Sequence, residues 1–382
     1  MRNLLLIISL LVNLGLLASA KLMPLAMSRR YVWIFPLSLS FYCFQSLTYT
    51  IDAYRKDCPA TRSYLAHLAA TSFFASIVAG PINRVSELVR QLEGPFSLTR
   101  SLGGRAILLI GMGLVKKFLI ADFLADNLVN RVFDTPTLYS GAEVLIGVYG
   151  YALQLLFDFS GYTDIAMGIG QLFGIDIPDN FNRPYLSTSI REFWTRWHIT
   201  FSLWLRDYLY FSMGGSRRGR VRTSFNLIAT MLLGGLWHGI AWTFVVWGML
   251  HGTALAVVHY YRSLRGGHKT SKWRSIASGV ATFHFVAFAW IFFRASDLPN
   301  ALAILQRIWS GTFTMANITA PILGVLVFAI LLQFVPKSWR DRSFEIFGSA
   351  PFYVQGAALA ILVLAIQSLA GQGSAGFVYA NF

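Results

Sequence analysis

Two histidines carry the most chemical information in this sequence. His238 lies in Leu232-Leu233-Gly234-Gly235-Leu236-Trp237-His238-Gly239, with largely apolar chain on both sides. His284 lies in Ala281-Thr282-Phe283-His284-Phe285-Val286-Ala287-Phe288, near the middle of another apolar run. An ionisable side chain at membrane depth is costly and marks a functional site by default. A neutral imidazole takes a proton from a hydroxyl and so serves as a general base. The glycines around His238 allow close helix approach or leave room for a substrate chain. A plainer reading stays open for each histidine, namely a hydrogen bond to a neighbouring helix.

His251 follows His238 by thirteen residues. On one continuous helix that is about 220° of rotation, so His251 is expected to be structural or to belong to a different helix. His67, His259 and His268 lie at polar or segment-end positions and are assigned no role. Asp158 and Asp164, in Phe157-Asp158-Phe159-Ser160-Gly161-Tyr162-Thr163-Asp164, read as structural polar groups that receive arginine or backbone donors. Several chemistries lack their motif. Gly168, Gly170 and Gly174 have the wrong spacing for a nucleotide loop and sit in an apolar helical run. No HExxH or Cys/His cluster points to zinc, so no metal is expected. No G-x-S-x-G elbow marks a serine hydrolase.

The elements that must position these residues read as membrane helices. A spanning helix needs about 20 mostly apolar residues. Stretches near 4–20, 31–51, 64–80, 106–124, 143–157, 225–237, 241–260, 276–293, 321–335 and 353–369 qualify, which predicts about nine to eleven spans. The irregular middle, 157–213, is least like a simple span. Non-helical backbone at membrane depth is tolerated only where protein or a water-filled cavity receives its polar groups. Within that middle, Ser189-Ile190-Arg191-Glu192 reads as a capping box opening a helix. Ile190, Phe193, Trp194, Trp197, Phe201, Trp204, Leu205, Tyr208 and Leu209 then recur at spacings of three and four, as one apolar face does. Arg191, Arg196 and Arg206 fall largely elsewhere. The stretch reads as an interfacial helix with an aromatic belt, or as a basic lip that concentrates an anionic substrate. His198 sits inside it and suits hydrogen bonding better than base chemistry. Arg2, the apolar run 4–12 and Ala18-Ser19-Ala20 have the layout of a signal peptide. The chain that follows is itself a membrane bundle, so the expectation is an uncleaved first span.

Composition agrees. Of 382 residues, 55% are hydrophobic and only 13% are charged, against about 25% charged in a soluble domain. That excludes a water-soluble monomer and a disordered chain. The net charge of +15 falls in short loops, 21–30, 55–62, 84–105, 217–222 and 262–274. There it acts as orientation signal and lipid anchor rather than as a nucleic-acid surface. Cys43 and Cys58 form no disulfide framework.

Taken together, the motifs resemble the membrane-bound O-acyltransferase (MBOAT) family, and within it the bacterial alginate O-acetylation branch. The resemblance rests on Arg183-Pro184-Tyr185, on Phe193-Trp194-Thr195-Arg196-Trp197-His198-Ile199-Thr200 and on Trp204-Leu205-Arg206-Asp207-Tyr208-Leu209-Tyr210 with Gly214-Gly215. It rests also on Ala79-Gly80-Pro81-Ile82, Asp158-Phe159-Ser160-Gly161-Tyr162, Gly234-Gly235-Leu236-Trp237-His238-Gly239, Trp247-Gly248 with His251-Gly252, Trp290-Ile291-Phe292-Phe293-Arg294 and the aromatic ending Phe377-Val378-Tyr379.

That resemblance implies an all-α polytopic membrane protein. The expected form is an MBOAT-like helical bundle with re-entrant and interfacial helices around a central tunnel, one multi-pass domain over 1–382 with its core motifs in 150–295. It implies that His238 is catalytic, with His284 as a second histidine. Arg191, Arg196 and Arg206 are expected to steer an anionic donor, and Trp197, His198 and Trp237 complete the expected substrate-binding set. His284 also resembles the D-alanylating relatives that act on teichoic acid, whereas the C-terminal spans favour the polysaccharide branch. Relatives usually carry two or so further spans before the segment matching 4–21, so N-terminal spans are expected to be missing here. The implied reaction moves an acyl group, acetyl first, from a cytoplasmic thioester such as acetyl-CoA. The acceptor is an exopolysaccharide or envelope glycan, reached with a periplasmic esterase-like partner protein. The setting is the bacterial inner membrane, no cofactor is called for, and no nucleic acid takes part. The residues alone leave room for a transporter or flippase of an envelope precursor, since polar groups at the midplane suit that too.

Overall fold

The computed structural model describes residues 2–26, 39–265 and 271–369. The ending Phe377-Val378-Tyr379, His268, residues 31–38 of one expected span, and parts of the basic loops 21–30 and 262–274 lie outside the described residues. In chain order the helices are α1 (Arg2–Ala26), α2 (Leu39–Arg55), α3 (Tyr64–Thr71), α4 (Phe74–Ile77), α5 (Val85–Leu92), α6 (Arg100–Leu114), α7 (Asp122–Leu124), α8 (Asn130–Asp134) and α9 (Gly141–Leu172). Then come α10 (Ile190–Arg196), α11 (Ile199–Trp204), α12 (Gly219–His238), α13 (Trp242–Arg265), α14 (Lys272–Arg294), α15 (Leu298–Trp309), α16 (Ala320–Leu332), α17 (Lys337–Ser349) and α18 (Phe352–Leu369). No strand occurs among the described residues.

The chain is an all-helical, multi-pass membrane protein. By length and composition, four described helices can cross a bilayer: Arg2–Ser19, Gly141–Leu172, Trp242–Ser263 and Lys272–Arg294. The pair α16 and α17, bent by 96°, makes a fifth if it is one broken span. That is fewer than the nine to eleven expected, because several apolar runs are broken. The run 64–80 divides into α3 and the four-residue α4. The run 106–124 passes from α6 into a π-helical stretch, Val115–Ala121, that carries two lysines. The run 225–237 is the end of α12, whose first turns hold Arg220 and Arg222. Burial sorts the spanning helices. The most apolar window of α9 is 83% buried, those of α13 and α14 are 39% buried, and that of α1 is 6% buried. A helix apolar all round must be enclosed by protein or lipid, so α9 is a protein-enclosed core helix while α1 keeps its apolar faces outward.

Helix starts follow side-chain caps. Ser63, Ser189, Ser271 and Asp297 accept from the backbone amides of Ala66, Glu192, Arg274 and Asn300, satisfying donors that a helix start leaves open.

Two compact units result. The first comprises Met1–Gly113, Tyr162–Asn180 and Ser343–Gly356. Its core joins Phe73, Val85, Leu88, Leu109, Met167 and Phe344, and Arg84 pairs with Asp52 at 3.3 Å. The second comprises Leu114–Gly161, Phe181–Arg342 and Ala357–Phe382. Its centre is aromatic, with Trp197, Trp247 and Trp290 each 1% exposed. Within it the Glu143 carboxylate at the start of α9 accepts from the amides of Ser140 and Asn317, both at 2.8 Å. Asp158 pairs with a lysine, a partner the sequence reading did not name. Lys117 reaches it at 2.7 Å and Asp122 at 2.8 Å. The π-helical turn explains this. Residues five apart are about 140° apart on an α-helix, but i→i+5 winding stacks them, so Lys117 and Asp122 share a face.

Candidate active site

All the predicted site residues lie in the second unit. His238 is the last residue of α12 and is 4% exposed. Its ring lies among aromatic rings, with centroids at 4.6 Å to Trp237, 4.8 Å to Phe293, 5.4 Å to Trp247 and 6.1 Å to Phe201 and Phe244. Gly239 ends the helix in extended backbone that any residue could adopt. What requires glycine there is closeness, since a Cβ would meet Phe244 Cε2 at 2.5 Å.

Backbone contact between α12 and α13 sets the position of His238. A Cβ on Gly248 would meet Met231 O at 2.6 Å and Leu232 Cα at 2.9 Å, and one on Gly252 would meet Ile228 Cα at 2.7 Å. Gly235 faces the carbonyl of Phe244 from the other side. Small residues four apart let membrane helices meet main chain to main chain. Trp247 and His251 each precede one of these glycines, so their rings inherit the register of the seam.

The long amphipathic helix expected over 190–209 is broken. α10 ends at Arg196, α11 runs Ile199–Trp204, and Leu205–Tyr210 is π-helical. His198 makes the break, with φ 41° and ψ 57°, a left-handed conformation costly for a residue with a Cβ. The break turns His198 inward, where it is 1% exposed and stacks on Phe201 at 4.9 Å. Phe201 also packs on Trp237 at 4.6 Å. Trp237, His238 and His198 thus gather around one phenyl ring. Trp197 joins the same wall from behind, 5.1 Å from Trp290.

The arginines are less concentrated than expected. Arg196 pairs with Glu192 at 2.6 Å, and Arg206 with Asp207 at 2.7 Å. Arg191 is exposed on α10. Glu192 takes part in half of a capping box. Its amide donates to Ser189 Oγ, but its carboxylate accepts from the Thr188 amide and hydroxyl, both at 2.8 Å. Partial burial would raise the Glu192 carboxyl, but the Thr188 donors and Arg196 outweigh it and hold the group below its ordinary value.

His284 does not meet His238. It is exposed on α14, with Nδ1 2.8 Å from Val280 O and its ring 5.7 Å from Tyr149. The α14 residue that touches His238 is Phe293, nine positions further on. Nine residues are about 13 Å of rise and half a turn, so spacing in sequence did not bring the two histidines together. His251 is the histidine nearer the site. It is fully buried, and Trp247 lies between it and His238, with its ring 4.8 Å from that of His251. The rotation argument applied to one continuous helix; the helix stops at His238 and restarts at Trp242, so His251 belongs to a different helix, the second of the two outcomes expected for it. The glycine after His238 was the available signal.

These features define a histidine held in a water-poor aromatic enclosure inside a helical membrane protein. The chain belongs to the membrane-bound O-acyltransferase family, whose profile matches residues 56–296. It is 39% identical over 325 residues to a protein of Azotobacter vinelandii named as a probable alginate O-acetylase, covering 84% of this chain and 62% of the relative. It is 37% identical over 303 residues to the peptidoglycan O-acetyltransferase of Helicobacter pylori, covering 72% of this chain and 56% of the relative. To the teichoic acid D-alanyltransferase of Bacillus subtilis it is 31% identical over 237 residues, covering 58% of this chain and 59% of the relative. The chain thus spans about three fifths of the length of these curated relatives.

Proposed function

We propose that the chain is an O-acyltransferase that moves an acyl group, acetyl first, from a thioester such as acetyl-CoA to a hydroxyl. The acceptor is an exopolysaccharide or other envelope glycan, reached directly or through a periplasmic esterase-like partner. The setting is the bacterial inner membrane, and residues 150–295 form the working core of one acyltransferase domain. The observation that carries this reading is the burial of His238 at a helix end among Trp237, Trp247, Phe201 and Phe293. Neutral imidazole takes the acceptor proton as the hydroxyl oxygen attacks the thioester carbonyl. The tetrahedral adduct collapses, the carbon–sulfur bond breaks, and the imidazolium returns its proton to the departing thiolate. General-base assistance of this kind is typically worth about 10²–10⁴-fold. An enclosure of rings keeps water from competing for the thioester. His284, remote from His238, takes no proton in this scheme. Arg191 is the arginine best placed to meet an anionic donor, because Arg196 and Arg206 already hold carboxylates.

The test uses the full chain in nanodiscs with labelled acetyl-CoA and a crude envelope fraction. Both free CoA and label fixed to acceptor are followed. Wild type is expected to release CoA and fix label, and His238→Ala to lose both while remaining folded. Wild-type transfer by His238→Ala would refute the base assignment. Intact thioester with transported cargo would identify a transporter instead.

A further inference from the structure

Beside His238 the second unit buries two N–H donors that the reaction scheme above has not used. Trp194 Nε1 donates to His251 Nδ1 at 3.3 Å. The neutral His251 ring therefore carries its proton on Nε2, a buried atom with no hydrogen-bond partner in the structure. Trp247 Nε1, an obligate donor, is likewise buried and unpartnered. His251 and Trp247 are 0% and 1% exposed. They stand four residues apart on α13 and so share a face. The Trp247 ring is in edge contact with His238 at 5.4 Å and lies 4.8 Å from the His251 ring. A buried donor left without an acceptor is costly, and two on one face beside a general base call for one.

We propose that Trp247 Nε1–H and His251 Nε2–H form the oxyanion site of the acyl transfer, a deepening that rests on the acyltransferase reading above. The chemistry requires such donors. As the acceptor oxygen bonds to the carbonyl carbon, the carbonyl π pair moves onto oxygen. That oxygen carries the negative charge until the pair returns and the carbon–sulfur bond breaks. His238 handles the proton and cannot also neutralise the oxyanion. Two preorganised N–H groups in an apolar enclosure stabilise that charge far better than water would. The role of Trp194 is positioning, because its N–H fixes the His251 tautomer that leaves Nε2 as donor.

The test compares Trp247→Phe, His251→Leu and His251→Gln in the full chain in nanodiscs. Glutamine can accept from Trp194 through its oxygen and donate through its nitrogen. The readouts are the CoA-release rate at saturating acetyl-CoA, and affinity for a non-hydrolysable ketone analogue of acetyl-CoA. Trp247→Phe and His251→Leu are each expected to lower the saturating rate about 10²–10³-fold, with analogue affinity within a few-fold of wild type. His251→Gln is expected to recover most of the rate. Near-wild-type rates in Trp247→Phe and His251→Leu overturn the proposal. So does an equal loss of rate and analogue affinity, which would assign both residues to packing. If His251→Leu fails to fold, Trp247→Phe and His251→Gln decide. A wild type that releases no CoA, or a His238→Ala that keeps the full rate, refutes the underlying reading itself.

Discussion

Replacing Gly248 by alanine tests whether the α12–α13 seam holds the site. The new Cβ would sit 2.6 Å from Met231 O and 2.9 Å from Leu232 Cα. Both obstacles are main chain, so no rotamer change relieves them. Ordinary contact begins near 3.4 Å, so the helices must part by about 0.8 Å at this point. Overpacking of a well-fitted interior costs about 1–3 kcal/mol, and a backbone obstacle places this case near the top. Alanine regains about 1 kcal/mol of helix propensity over glycine, which leaves a net destabilisation of about 2 kcal/mol. The functional cost is larger in proportion. Trp247 adjoins the new methyl, and His238 ends the helix that is pushed away. A misplacement of about 1 Å can lower an enzyme rate about 10²-fold, so acyl transfer should fall at least tenfold. The assay pairs thermal unfolding in detergent micelles with CoA release, and uses Gly324→Ala as control. Gly324, in α16, has nothing within 4 Å of its would-be Cβ, so alanine there should leave the midpoint unchanged or raised. If Gly248→Ala matches that control in both midpoint and rate, the seam does not position the site.

Lys117→Met removes the cation that pairs with both Asp122 and Asp158 and leaves buried carboxylates. Losing one partner of a buried pair costs about 3–5 kcal/mol, visible as a much lower unfolding midpoint, and an unchanged midpoint would count against the pairing. His284→Ala should keep transfer close to wild type, since the side chain bonds within its own helix, and a loss as deep as that of His238→Ala would reinstate His284 in the chemistry. Glu192 has a folded value below its unfolded value of about 4.3, so its contribution to stability is present above that pH and fades as pH falls through the folded value. The midpoint gap between wild type and Glu192→Gln should therefore close in acid, and a gap that persists well below pH 4 would contradict the sign.

Much of the candidate site was legible where types and local rules sufficed. An ionisable residue in an apolar run singled out His238, and the Ser189 cap marked where α10 begins. What failed were inferences that assumed unbroken helices. The face drawn through 190–209 ignored the left-handed turn at His198, which buries a ring the pattern treated as interfacial. The rotation angle between His238 and His251 held only for one continuous helix, and the break after His238 realises the other outcome, His251 on a different helix. The partner of Asp158 could not be read at all, because an α-helical register points Lys117 and Asp122 to different faces and only π winding brings them together. His284 shows the reverse case. A lone ring in an apolar run looks alike whether it faces a neighbour or the outside, and nothing in its flanks distinguishes the two.

The Lys117–Asp122 pair also bears on how the chain is made. A single charged residue at the centre of an inserting helix costs about 2.5–3.5 kcal/mol. Lys117 and Asp122 belong to one stretch and emerge from the ribosome together, whereas Asp158 emerges 36 residues after Asp122. With i→i+5 winding the first two cancel each other inside a single segment, before any later helix exists to shield them. The pair can enter the bilayer as a neutral unit, and Asp158 arrives to a lysine already held in place. Synthesis order and final packing thus ask for the same local geometry, and straightening the π turn into an ordinary α-helix would impair insertion before it impaired the finished fold.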